Sequence, residues 1–204
     1  MDNRQLIMEK ALELFCARGY DAVGVQEIAE QSGITKPTLY YYFGSKQGLM
    51  ETILEENSRI LEEMLEKAVE EPGDVPQVLY RVARAYFDFA GSHWGQFYLF
   101  MLSQFYSGKK SEGFRTVYPL IQKYYQLVVR IFEDSADRLG NMGGRQEQFA
   151  VSFMGILDSH MMMLGREQDE EHGLVMTDQR TYEIVRQSCT VFIHNCESME
   201  QLHV

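Results

Sequence analysis

The stretch Ser32-Gly33-Ile34-Thr35-Lys36-Pro37-Thr38-Leu39-Tyr40-Tyr41-Tyr42-Phe43-Gly44-Ser45-Lys46 decides how this chain folds. Gly33 closes one short helix, and Thr35 has the side chain of an N-cap for the next, with Pro37 in the first turn, where a missing N–H costs nothing. Gly44 ends that helix, and Ser45 stands where a longer one needs its cap. Upstream, a helix over about Val25–Ser32 turns Ile28 and Ala29 inward. Another, over about Asn3–Arg18, places Ile7, Ala11, Leu14 and Phe15 on one side and stops at Gly19. Two short helices joined by the tight Gly33-Ile34 link, the second polar and aromatic, make a helix-turn-helix. In that geometry the second helix enters the major groove of DNA, so Lys36, Pro37 and Thr38 near its start face base edges.

Beyond this unit the pattern is helical throughout. From Ser45 a long helix runs through Leu49, Ile53, Ile60, Met64 and Leu65 to the turn Glu70-Glu71-Pro72-Gly73-Asp74. Apolar residues at three- and four-residue steps predict further helices at about Val75–His93, Trp94–Tyr106, Glu112–Leu139, Arg145–Arg166 and Asp178–Asn195. No proline follows Pro119, and no Asn-Gly or Asp-Gly hairpin signal occurs. The expected fold class is all-α: an N-terminal three-helix helix-turn-helix domain over residues 1–48, then a helical bundle domain over 49–204, about nine helices in all.

The chain has 204 residues, of which 45% are hydrophobic and 24% charged, enough apolar surface for a folded core and too little charge for wholesale disorder. Its longest apolar runs, such as Phe97 to Leu102, are far shorter than the roughly 20 residues a membrane span needs. No secretory signal is readable at the start, and the three cysteines, Cys16, Cys189 and Cys196, leave one over in any disulfide scheme. Both features lead to the expectation of a cytoplasmic protein with buried thiols. The formal charge of −11 argues against a polyanionic partner until its position is considered: residues 1–50 are nearly neutral, and the acidity lies in the remainder.

Gly19-Tyr20-Asp21-Ala22, Ile28-Ala29, Ser32-Gly33-Ile34, Thr38-Leu39-Tyr40-Tyr41-Tyr42-Phe43 and Ser45-Lys46-Gln47-Gly48-Leu49, in this order and without gaps, resemble the DNA-binding domain of the TetR family of bacterial transcriptional regulators. The resemblance implies that Tyr40, Tyr42 and Lys46 contact phosphates, by phenol hydrogen bonds and by ammonium charge. It implies base contacts by Gln26, Lys36, Pro37, Thr38 and Tyr41, and Thr35 is counted among the DNA-binding residues. Gln26 suits adenine, Lys36 suits guanine, and the Pro37 ring or Thr38 methyl suits a thymine methyl, with the pairing left open. One departure is Gly24 at the start of the second helix, where many members carry Ser or Thr; a hydroxyl for a phosphate is lost there.

A head that reads a palindrome needs two copies about one turn of DNA apart, so the body is expected to form a homodimer. The resemblance implies that the last two long helices make this interface, through Phe149, Phe153, Ile156, His160 and Leu164 on one and Tyr182, Val185, Cys189 and Phe192 on the other. The middle helices are rich in aromatic residues. Tyr86, Phe89, Trp94, Phe97, Tyr98, Met101, Phe105, Tyr118 and Tyr125, with Met154 and Asp158, are the candidates to line an adaptable pocket for an apolar or aromatic small molecule. Asp88 and Asp158 read as exposed face residues or as counter-charges for a cationic ligand. Asp169-Glu170-Glu171-His172 reads as solvated charge rather than a metal site.

No glycine-rich phosphate loop, nucleophile elbow or paired Glu-x-x-His motif is present, so neither an enzyme, a cofactor nor a metal is expected. The expected function is that of a regulator, most simply a repressor released from an inverted-repeat operator by a small molecule. The alternative is a DNA-bound adaptor whose body binds a protein and carries its aromatic residues on the surface.

Overall fold

The computed structural model describes residues 2–92, 95–135, 144–166 and 176–192, with side chains described through 163 and 189 in the last two segments. Among the described residues there are nine α-helices and no strand: α1 Asn3–Arg18, α2 Val25–Gln31, α3 Lys36–Phe43, α4 Lys46–Glu70, α5 Val75–Gly91, α6 Gly95–Tyr106, α7 Glu112–Asp134, α8 Gln146–Arg166 and α9 Asp178–Phe192. The all-α expectation holds, and most boundaries agree with it to within two residues. Trp94 and the stretches expected to finish α7 and α9, residues 136–139 and 193–195, lie outside the described residues, as does the acidic loop 169–172. Among the described residues no helix is long and apolar enough to cross a membrane, and no group of His, Cys, Asp or Glu is placed to hold a metal.

The chain divides into two compact units, Met1–Arg59 with Gln96–Ile121, and Ile60–Gly95 with Gln122–Val204. The first unit therefore reaches beyond residue 48. Phe100 of α6 stacks on Phe15 of α1 at 6.0 Å, and the Cys16 thiol donates to the Gln96 carbonyl at 3.6 Å. Burial pushes that thiol up to about 11, which disfavours its thiolate.

Caps and spacing account for the helices of the head. Asp2 accepts from the Arg4 N–H, while Ile7, Ala11 and Phe15, one turn apart on α1, are wholly buried. The turn between α2 and α3 is built on Gly33, whose φ of +65° an L side chain rarely adopts, and on the Ile34 N–H, which returns to the Ala29 carbonyl at 3.0 Å. The Thr35 hydroxyl accepts from the Thr38 N–H, as an N-cap should, and Ser45 does the same for Gly48 at 2.9 Å. The α3–α4 junction is tight: a Cβ on Gly48 would lie 2.2 Å from the Phe43 carbonyl oxygen.

In the second unit α5 packs against α8 and α9. A capping box between Asp74 and Gln77 starts α5, with both hydrogen bonds at 3.0 Å. Arg84 then fastens the beginning of α9, donating to the Met176 carbonyl at 2.7 Å and the Thr181 hydroxyl at 3.2 Å, with Asp178 at 3.3 Å. Its other partner is the exposed Asp88, one turn along α5, which settles Asp88 as a surface counter-ion.

Gly48→Ala should destabilise the protein by about 1–3 kcal/mol in chemical denaturation, because the new methyl meets backbone that cannot swing aside. Gly24→Ala, where a Cβ meets nothing within 4 Å, should cost much less, and equal effects would show that the junction is looser than described.

Candidate nucleic-acid interface

Leu39 and Phe43 are the inward residues of α3, at 0% and 8% exposure, and the opposite side of the helix is left to solvent. Lys36 and Pro37 are exposed there, Tyr40 is 46% exposed and Tyr41 85%. A tyrosine so open contributes little to a core, so its ring is available to a partner. Tyr42 is half-buried, its ring edge-on to Tyr41 at 5.4 Å.

The remaining sequence-predicted contacts are partly engaged within the chain. The Thr35 and Thr38 hydroxyls lie 2.9 Å apart, so each occupies one hydrogen-bonding site of the other. The Gln26 amide donates to Glu30 along α2, and adenine would have to compete for it. Gly24 caps α2 with no side-chain hydrogen bond, as the missing hydroxyl requires. An ion pair between Arg18 and Glu27 ties α1 to α2 behind this face.

Lys46 is positioned more closely than its sequence suggested. Its ammonium sits 4.0 Å over the ring of the buried Tyr20, a cation–π contact of about 0.5–2 kcal/mol. Burial lowers the Lys46 pKa, and the carboxylates of Glu112 and Asp21 act in the opposite direction. The Tyr20 phenol is held well above its ordinary range, first by burial and then by Glu112. Tyr20 and Glu112 thus form the seat of the lysine at the first turn of α4. The sequence carried no sign of Glu112, which belongs to the start of α7.

Residues 7–53 match the sequence model of the bacterial regulatory proteins, tetR family. Over 88 residues the chain is 35% identical to the HTH-type transcriptional activator FasR of Mycolicibacterium smegmatis, covering 43% of this chain and 40% of that protein. The match marks residues 7–53 as a tetR-type segment. Two solved structures share the fold of this chain. The transcriptional regulator FadR from Bacillus subtilis in complex with stearoyl-CoA has a TM-score of 0.67 at 18% identity, over 90% of this chain and 96% of that one. AibR in complex with isovaleryl coenzyme A and operator DNA has a TM-score of 0.67 at 21% identity, over 94% and 98%. The chain spans less than half the length of the curated relatives it matches, 40% for FasR and 38% for the regulator AcrR of Shigella flexneri.

Outside residues 7–53, the ligand candidates divide between the two units. Phe97, Tyr98 and Met101 are buried in the first, where Phe105 stacks with the 41%-exposed Tyr118, whose position on an open surface does not suit a pocket wall. In the second unit Tyr86 and Phe89 are buried one turn apart on α5, and Met154 and Asp158 are half-buried one turn apart on α8. Tyr86 meets Tyr124 edge-on at 6.3 Å; its phenol is raised by burial, then by Tyr124 and by the Asp158 carboxylate. Tyr125 donates to the Glu147 carbonyl at 3.1 Å.

The dimer candidates need a correction. Phe153, Val185 and Cys189 are at 0% exposure within a single chain, so they are core. On α8 the row Phe153, Leu157, Met161 faces inward, whereas Val151 and Met163 are each 57% exposed, with Ile156 and His160 half-exposed between them. An open groove of about 700 Å³ runs between α8 and α9 past Ile156, His160, Glu183, Arg186 and Gln187. Burial and the nearby Arg180 lower the pKa of His160. Phe149 contacts Phe132 at 6.0 Å, and Tyr182 is half-buried; the side chains of Leu164 and Phe192 lie outside the described residues.

Lys46→Ala should weaken binding to every duplex and make the salt dependence shallower by about 1, whereas Lys36→Ala should relax preference at particular base pairs by about 1–3 kcal/mol. Titrations of duplex at several salt concentrations distinguish the two. An unchanged salt slope for Lys46→Ala would remove Lys46 from the interface.

Proposed function

We propose that this protein regulates transcription as a homodimer that grips an inverted-repeat operator with α3 and lets go when a small molecule occupies its second unit. The observation that carries the DNA half is the exposed side of α3: Lys36, Pro37, Tyr40 and Tyr41 point to solvent from a helix whose other side is buried. Two copies must hold these helices about 34–36 Å apart to meet successive major grooves. The half-exposed Ile156 and the exposed Met163, two turns apart on α8, and the groove with α9 supply an apolar surface for the pairing, while the first unit contributes the DNA-binding head.

Within the second unit, the region of Tyr86, Phe89, Met154 and Asp158 suits an apolar ligand oriented by a few polar groups. The acyl-CoA thioesters bound by B. subtilis FadR and by AibR are the class to test first. For such a ligand to move a population from mostly bound-competent to mostly released, it must favour the released conformation by about 10⁴-fold. Repression follows most simply from operator occupancy, and FasR, described as an activator, makes the sign of regulation part of the test.

Selection from a random duplex pool at near-physiological salt should enrich an inverted repeat. No enrichment from a folded dimer would overturn the DNA reading. Stearoyl-CoA and isovaleryl-CoA should then lower affinity for the selected duplex, and Tyr86→Phe with Asp158→Asn should blunt that response without changing affinity in its absence. An operator affinity indifferent to both thioesters would exclude this ligand class, and a reporter downstream of the selected site would give the sign.

A further inference from the structure

Between α6 and α7, the first unit carries a second cationic surface. Although the chain as a whole is at −11, residues 105–118 hold Lys109, Lys110 and Arg115 against Glu112 alone. All three cations are exposed, and neither lysine makes an ion pair among the described residues. The tip that bears them is built rather than loose. Gly108, at φ +102°, turns the chain; the Ser107 and Ser111 hydroxyls lie 2.6 Å apart; and Ser111 caps α7 by accepting from the Phe114 N–H at 2.9 Å. Phe105 stacks on Phe114 at 5.7 Å and on Tyr118 at 6.5 Å, which clamps the two helices together beneath the tip. Tyr106, 56% exposed, adds a phenol to the same surface.

We propose that this hairpin tip is a second phosphate-contacting surface, holding the DNA backbone that flanks the half-site read by α3. The proposal rests on the DNA reading given above. Its location supports it: Glu112, two residues after Lys110, acts electrostatically on Lys46 and Tyr20, so the tip borders the end of α4 where the phosphate-binding lysine sits. Its composition does too, because lysine is depleted in protein–protein interfaces, whereas exposed lysines beside phenols suit phosphates.

The test uses the full-length chain and mixed-sequence duplexes of about 20 and about 40 base pairs, the longer extending well past two half-sites. Lys109→Gln/Lys110→Gln should make the log–log salt dependence on the longer duplex shallower by about 2 per bound protomer, which is about 12-fold less weakening between 50 and 200 mM salt. The difference should shrink on the shorter duplex, and Lys109→Glu/Lys110→Glu should weaken binding further. Both pairs replace exposed side chains, and unchanged circular dichroism verifies folding. If the wild type binds and the variants match its slope on both duplexes, the tip proposal fails alone and the surface falls to a protein partner. If the folded wild type binds neither duplex even at low salt, the DNA reading fails and the tip proposal with it.

Discussion

An eight-residue helix has almost no stability of its own in water, so what α3 shows to solvent depends on the burial of Leu39 and Phe43. That pair fixes the rotation of the helix about its axis and thereby sends Tyr40 and Tyr41 outward. The junction with α4 fixes it along the axis, since Gly48 lets the Phe43 carbonyl approach more closely than any Cβ would permit. The Thr35 and Ser45 caps add to this by satisfying N–H groups at both helix starts. The exposed side of α3 is therefore as rigid as the small core beneath it, to which α6 contributes Phe100.

Charge is distributed so that the same molecule can be strongly acidic and still approach a polyanion. The head is nearly neutral, and its cations stand at its edges: Lys36 at the start of α3, Lys46 at the start of α4, and the lysine pair at the hairpin tip. Lys46 is held over an aromatic face; burial lowers its pKa, and two carboxylates act in the opposite direction.

Local signals explain what could be read in advance. The caps at Thr35 and Ser45, the stop at Gly19 and the Gly33 turn each depend on a few adjacent residues, and the structure places them as the sequence implied. The roles of Tyr40 and Tyr41 were implied by the family resemblance and not by spacing, and both rings are exposed. Failures arose where helical spacing serves two rows equally: on α8, Phe153 and Ile156 are both apolar and nearly a turn apart, yet only the first is core. Nothing in the spacing says which row meets α5. Contacts between distant segments were equally invisible. Glu112 beside Lys46, Arg84 reaching Met176 and Phe100 on Phe15 each join helices that are far apart in the chain. Phe100 on Phe15 and Glu112 near Lys46 also carry the first unit past residue 48.

Two long helices, α4 and α7, run from one compact unit into the other, and they differ in stiffness. α4 contains no proline, and at 25 residues it is a rod of about 37 Å. α7 contains Pro119 close to the point where it passes from one unit to the other. A proline there donates no N–H and leaves the Arg115 carbonyl without its helical partner, so α7 bends more easily at that point than α4 does at its own crossing.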